Sequence, residues 1–268
     1  VLACFDELTR QGVEVRVIGV NGKGELDFAA LEKALEDGAG LVSVMQVNNE
    51  TGAINDIPRI HALTRGRALL HVDGVQGFLR TPFSMKDAEL YTFSGHKIHG
   101  PKGIGALVCR ENILIHPRNV GGGQENGLRS GTENTPGIAG LREAARLMKG
   151  YDMGELMQKK LHLIQAFGAQ VENMRVNGPD PAAAAPHIVN LGFPGVRGEV
   201  MLHALESCGV YASTGSACSS KKLKVSSVLT AMGISPTEAE WALRFSLSPK
   251  TTFEDIDYAA EKLGACYA

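Results

Sequence analysis

At 268 residues, with 44% hydrophobic and 21% charged residues, the chain is long enough to bury a large core and has an ordinary globular composition. A formal net charge of −2 gives no footprint for nucleic acid or an anionic membrane surface, and no apolar run approaches the ~20 residues of a membrane helix. Cys4, Cys109, Cys208, Cys218 and Cys266 are odd in number and include no C-x-x-C pair, which argues against a disulfide framework or a zinc cage and for reduced thiols in the cytoplasm.

The chain opens Val1-Leu2-Ala3 without Met and reads as the middle of a longer sequence. Val13, Val15, Val17 and Ile18 between glycines predict a strand over 13–20. Asp27 is placed to cap a helix whose Phe28, Leu31 and Leu35 share a face. A buried strand follows over 41–47, then a helix over 57–66 with Pro58 in its first turn. Further strands are predicted over 68–72, 90–93 and 103–109. Strands alternating with helices predict an α/β fold with a mostly parallel sheet covered by helices, and a ligand site beyond the strands' carboxyl ends.

From about Pro136 the pattern changes. A helical stretch runs to Met174 with a break near Gly150 and Tyr151, and Ile164, Phe167, Val171 and Met174 form one stripe. A strand over 188–193, a helix over 197–208, a capping box at Ser235-Pro236-Thr237-Glu238 and a strand over 243–247 follow. Thr252 opens a last helix with Phe253, Ile256, Ala260 and Leu263 inward. The division expected is a large domain over 1–146 and a smaller α+β domain over 147–268.

Four polar clusters follow strands directly. Asn48-Asn49-Glu50-Thr51-Gly52 is also ordinary turn chemistry. In His71-Val72-Asp73-Gly74-Val75-Gln76 an acid ends an apolar strand, where it needs a cation, a hydroxyl or a protonated ring nitrogen. Ser94-Gly95-His96-Lys97 puts a lysine at a strand end, where burial would favour the nucleophilic amine, beside Ser94 and His96 as phosphate donors. It is not a P-loop, since G-x-x-x-x-G-K-[ST] is absent. Gly121-Gly122-Gly123 running on to Arg129-Ser130-Gly131-Thr132 suits an anion or a plain mobile loop. Asp73 on one strand and Lys97 after the next meet the needs of pyridoxal 5′-phosphate (PLP), which takes a lysine on its aldehyde and an acid on its pyridine nitrogen.

In order, N-N-E-T-G, H-V-D-x-x-Q, S-G-H-K-x-x-G-P-K-G-x-G, G-G-G-Q-E-x-G-x-R-S-G-T and G-S-A-C-S-S resemble the cysteine desulfurases, class V aminotransferases with the type I PLP fold. The resemblance runs nearly end to end and implies that the large domain lacks its N-terminal part, including a glycine/threonine phosphate-binding turn and a ring-stacking histidine. It implies that Lys97 bonds the cofactor aldehyde, Asp73 pairs with the ring nitrogen and Gln76 with the phenolic oxygen, and that Ser94 and His96 hold the phosphate. Thr132 would reach the phosphate of a partner subunit in a homodimer. Asn49 and Arg244 would bind the substrate carboxylate, and Cys218 would take sulfur from L-cysteine as a persulfide, releasing L-alanine. Cys218 lies in a run of small polar residues, unlike the apolar surroundings of a structural cysteine. A sulfur-acceptor protein such as an iron–sulfur scaffold is the implied partner. Another class V enzyme, either an aminotransferase or a selenocysteine lyase, or a non-catalytic fragment of such a protein, remains an alternative.

Overall fold

The computed structural model describes residues 2–215 and 225–267. Cys218 therefore lies outside the described residues. After α1 (Leu2–Arg10), helices α2 (Phe28–Glu36) and α3 (Ile57–Thr64) alternate with strands β1 (Leu41–Met45), β2 (Leu69–Asp73), β3 (Leu90–Ser94) and β4 (Gly105–Cys109). These strands form one sheet in the order β1-β2-β3-β4. The first three run parallel, with Met45 beside Asp73 and Asp73 beside Thr92, while β4 is antiparallel to β3. The carboxyl ends of β1, β2 and β3 thus lie side by side, and the three polar clusters that follow them are neighbours.

Local chemistry explains these elements. Asp27 accepts from the Ala30 N–H at 3.0 Å, and Asp56 accepts from the Arg59 N–H at 3.1 Å, so each helix begins on an acid with an amide of its first turn satisfied. Leu31, Leu35, Ile57, Ile60, Leu70, Val72 and Tyr91 form the buried core between these helices and the sheet.

The second half begins with α4 (Thr135–Met148) and α5 (Met153–Gln170), separated where the break near Gly150 is predicted. The strands β5 (Arg175–Val176), β6 (Ile188–Gly192) and β7 (Ala242–Ser246) make an antiparallel sheet in that order. The helices α6 (Gly198–Ser207), α7 (Ser227–Ala231), α8 (Pro236–Glu240) and α9 (Phe253–Tyr267) complete it. Phe167, Leu191, Phe193, Leu243 and Leu263 lie at its core. The capping box forms as predicted, with the Ser235 hydroxyl accepting from the Glu238 N–H and the Glu238 carboxylate from the Ser235 N–H.

Two predicted features are corrected. Residues 13–20 form no strand and join no ladder among the described residues beyond a bridge from Val20 to Leu26, and β1, paired with β2 on one side, is left as the edge of its sheet. Phe253 is exposed rather than inward; it meets the His162 ring edge-on, and Ile256, Ala260 and Leu263 carry the buried face of α9.

The backbone after Asp73 is fixed by close approach. A Cβ on Gly74 would lie 1.9 Å from Cζ of Tyr91. Tyr91 is held by stacking on Phe83 at 4.1 Å and by donating to Oε1 of Gln46 at 2.7 Å, so it has nowhere to go. Gly74→Ala is expected to cost about 1–3 kcal/mol, the usual range for overpacking, visible as a lowered denaturation midpoint at unchanged slope.

Candidate active site

The turn after β1 is built on Asn48, whose side-chain oxygen accepts from the N–H groups of Glu50 and Thr51 at 2.9 and 3.0 Å. Gly52 closes it at φ +78°, where a Cβ would lie 2.9 Å from the Ile188 carbonyl oxygen, and its own carbonyl accepts from the Ala185 N–H at 2.9 Å. The turn is thereby pressed against the approach to β6. Arg244 on β7 completes the contact from the far side, donating from Nη1 to the Asn49 carbonyl at 3.1 Å.

Between these parts lies a cavity of about 310 Å³, lined by Asn49, Gln76, Arg80, Lys97, His187 and Arg244, with His96 and His99 at its edge and residues 246–248 and 251 beneath. Its size is at the lower end of small-molecule sites, about 300–1,000 Å³. Of the residues expected from sequence, Asn49, Gln76, His96, Lys97 and Arg244 come together here. Lys97 sits in the short 3-10 turn Gly95–Ile98 that follows β3 and is half-buried. Ser94 does not line the cavity; its hydroxyl is 2.8 Å from Nδ1 of the exposed His96 ring that does.

Asp73 is differently placed. It ends β2, and its carboxylate accepts from the Val75 N–H at 3.0 Å. It lines a separate, larger cavity of about 630 Å³ shared with Met45, Asn48 and Asn55. Side chains alternate along a strand, so Asp73 points away from the Leu70 and Val72 face, toward the side where β1 and the 13–20 segment leave a groove. Asp73 and Lys97, expected to serve one cofactor, therefore follow neighbouring strands but line different cavities. Thr132 is exposed and lines neither cavity.

Among the cavity residues that escaped the sequence reading are Arg80 and His187. Arg80 is 9% exposed, donates from Nη2 to the Lys97 carbonyl, and has no partner on Nε or Nη1. Burial pushes its guanidinium down to about 10. His187 is 3% exposed; its Nε2 lies 3.2 Å from Oε1 of Gln76, and Nδ1 has no partner. Burial, then the charges of Arg80, Lys160 and Lys97, hold it well below the usual histidine range. The available signals were Pro186 before His187 at a strand start, and an arginine four positions beyond Gln76.

Among the described residues the lining thus carries Arg80, Lys97 and Arg244 with no Asp or Glu. A buried guanidinium with unpartnered donors, beside two half-buried cations and no carboxylate among the described residues, suits an anionic ligand. A phosphate-bearing aldehyde fits that donor set and finds a lysine amine within it.

A model of the class-V aminotransferase family matches residues 1–259. The chain belongs to that family. Among class-V relatives, the cysteine desulfurase of Trichormus azollae is 41% identical over 267 residues, 97% of this chain and 66% of that protein. The cysteine desulfurase IscS of Pseudomonas syringae pv. syringae is 42% identical over 271 residues, 98% of this chain and 66% of that protein. The chain spans about two thirds of the length of these relatives. A solved NifS-like protein superposes with a TM-score of 0.89 at 31% identity, covering 98% of this chain and 71% of that one. The NifS-like protein from Rickettsia africae gives 0.83 at 33% identity, covering 94% and 69%. The expected α/β fold of the PLP-dependent class-V enzymes is thus the fold observed, and pyridoxal 5′-phosphate is the cofactor of the family.

One wall of this cavity rests on a buried ammonium. Lys160 on α5 is fully buried and donates from Nζ to the carbonyls of Ala184 and Ala185 at 3.3 and 2.9 Å, just ahead of His187. Burial lowers its pKa from 10.5 to about 8. Between those values the unfolded chain binds the extra proton, so this residue's contribution to stability rises with pH across that window and is flat below it. Lys160→Met is expected to remove that rise; denaturant unfolding of both proteins from pH 7 to 10.5 measures the difference.

Proposed function

We propose that this protein is a PLP-dependent cysteine desulfurase that converts L-cysteine to L-alanine and passes the sulfur on as a persulfide. The reading rests on a cavity that gathers Lys97, Gln76, Asn49 and Arg244 without a carboxylate, and on relatives named as cysteine desulfurases. The large unit is taken as residues 1–146 and the small one as 147–268, with the cavity between them.

When bound, PLP supplies an aldehyde for an amine and a ring that withdraws electrons. Lys97 would hold the aldehyde and, as a free amine, would move the proton at the substrate's Cα. Gln76 donates to the phenolic oxygen, and Asp73 keeps the ring nitrogen protonated from the adjoining strand end. Ser94 orients His96 by their hydrogen bond, and the pair holds the phosphate. The forked guanidinium of Arg244 and the amide of Asn49 hold the substrate carboxylate.

Cys218 then acts as nucleophile. Its thiolate attacks the sulfur of cysteine; an S–S bond forms as the substrate's C–S bond breaks, and protonation of the carbon left behind gives alanine. Cysteine plus the Cys218 thiol become alanine plus the Cys218 persulfide, which balances without an external oxidant. In the proposed homodimer Thr132, exposed in this chain, would meet the phosphate of the other subunit's cofactor. A cytoplasmic setting, with an iron–sulfur scaffold as sulfur acceptor, completes the proposal.

Lys97→Ala should abolish the cofactor's absorbance above 400 nm and all alanine formation, whereas Cys218→Ala should keep the absorbance and lose persulfide. Persulfide formation at wild-type rate by Cys218→Ala would refute the assignment. Arg244→Lys keeps the charge but not the fork, so KM for cysteine should rise about tenfold or more, as loss of a charged hydrogen bond worth about 1.5–3 kcal/mol requires.

A further inference from the structure

Gln76 stands where a donor to the cofactor's phenolic oxygen is required, yet a side-chain amide can turn either face. Its oxygen and its NH2 have nearly the same shape, so packing alone does not choose between them. The wrong face would set a carbonyl oxygen against an oxygen carrying negative charge. Something in the fold has to decide which end is offered.

We propose that His187 is a positioning residue for the cofactor site: it holds the Gln76 side-chain oxygen, leaving the amide NH2 as the group offered to the cavity. The contact is direct, Nε2 to Oε1 at 3.2 Å, and joins residues 111 positions apart. An amide oxygen only accepts, so this contact requires the ring proton to be on Nε2. Nδ1, which has no partner among the described residues, is then a bare acceptor. The opposite tautomer would bury an N–H with nothing to receive it, the rarer and costlier arrangement.

The environment keeps the ring in one charge state. Arg80, Lys160 and Lys97 all act on His187 from different elements, and burial acts in the same direction, so the ring is neutral at physiological pH. A charged ring would have two donors and no accepting group assigned to Nδ1. Because burial, the largest cause, keeps the ring neutral, His187 acts as a rigid post and not as a titrating switch. Lys160 braces the carbonyls of Ala184 and Ala185 and so sets the depth of the segment carrying His187.

The inference rests on the proposed cofactor site, and two measurements separate their failures. The first uses the protein free of cofactor, labelled with 15N at histidine. The His187 ring should show a protonated Nε2 and a bare Nδ1 at neutral pH; a protonated Nδ1 or an imidazolium would overturn the proposal whatever the protein binds. The second measures PLP affinity. His187→Leu should weaken binding about fivefold, the scale of one hydrogen bond, in the presence of Gln76. It should have no effect in a Gln76→Leu background, and His187→Gln, whose amide can donate to Gln76, should recover part of the loss. Equal losses in both backgrounds would mean general structural support and overturn the positioning role. Failure of the unaltered protein to bind PLP would sink the cofactor reading, leaving the tautomer result to decide the contact between His187 and Gln76.

Discussion

The site depends on bonds that cross between the two sheets at a single place. Arg244 donates to the carbonyl of Asn49, His187 meets Gln76, and the 48–52 turn lies so close to Ile188 that Gly52 has no room for a side chain. Each contact joins a loop after a parallel strand to the antiparallel sheet, at the start of its central strand β6 or on β7. Without them the cavity has a floor and no wall. Distance along the chain makes these contacts entropically costly to close, so the two hydrophobic cores must supply the free energy that holds them.

Charge within the cavity follows from that closure. Arg80, Lys97 and Arg244 converge on a space that no carboxylate lines, and Arg80 keeps two donor nitrogens unpartnered. Such an arrangement costs stability in the free protein and is offset when an anion enters, the usual relation between a binding site and the fold that carries it. Backbone contacts limit the cost: the Arg80 guanidinium also bonds the carbonyl of Lys97 and so anchors the turn that presents the amine. One cation thus serves both the electrostatics and the geometry.

Much of this was legible in the residues. The helix starts at Asp27 and Ser235 were readable because a cap is a local hydrogen bond between a side chain and an amide two or three positions on. Strands over Leu41–Met45 and Leu69–Asp73 were readable as short apolar runs, and the lysine at the end of β3 as a poor structural choice. Residues 13–20 misled because valine-rich alternation reports that a segment is extended, whereas a strand also needs a neighbour to bond. Phe253 misled because an aromatic in the first turn of a helix can fold over the end instead of into the core.

The sequence by itself determined the order of elements and the polar clusters after the strands, since local propensity and strand-end position are properties of short segments, and the resemblance of its ordered motifs to the cysteine desulfurases singled out Asn49, Gln76, His96, Lys97 and Arg244. Only the tertiary structure decided that Arg80 and His187 stand behind the site, that Asp73 lines the adjoining cavity, and that Thr132 lies exposed outside both. Those facts concern which distant residues share a space and which of their atoms lack partners. Burial and long-range contact arise from packing whole elements together, so no window of sequence contains them.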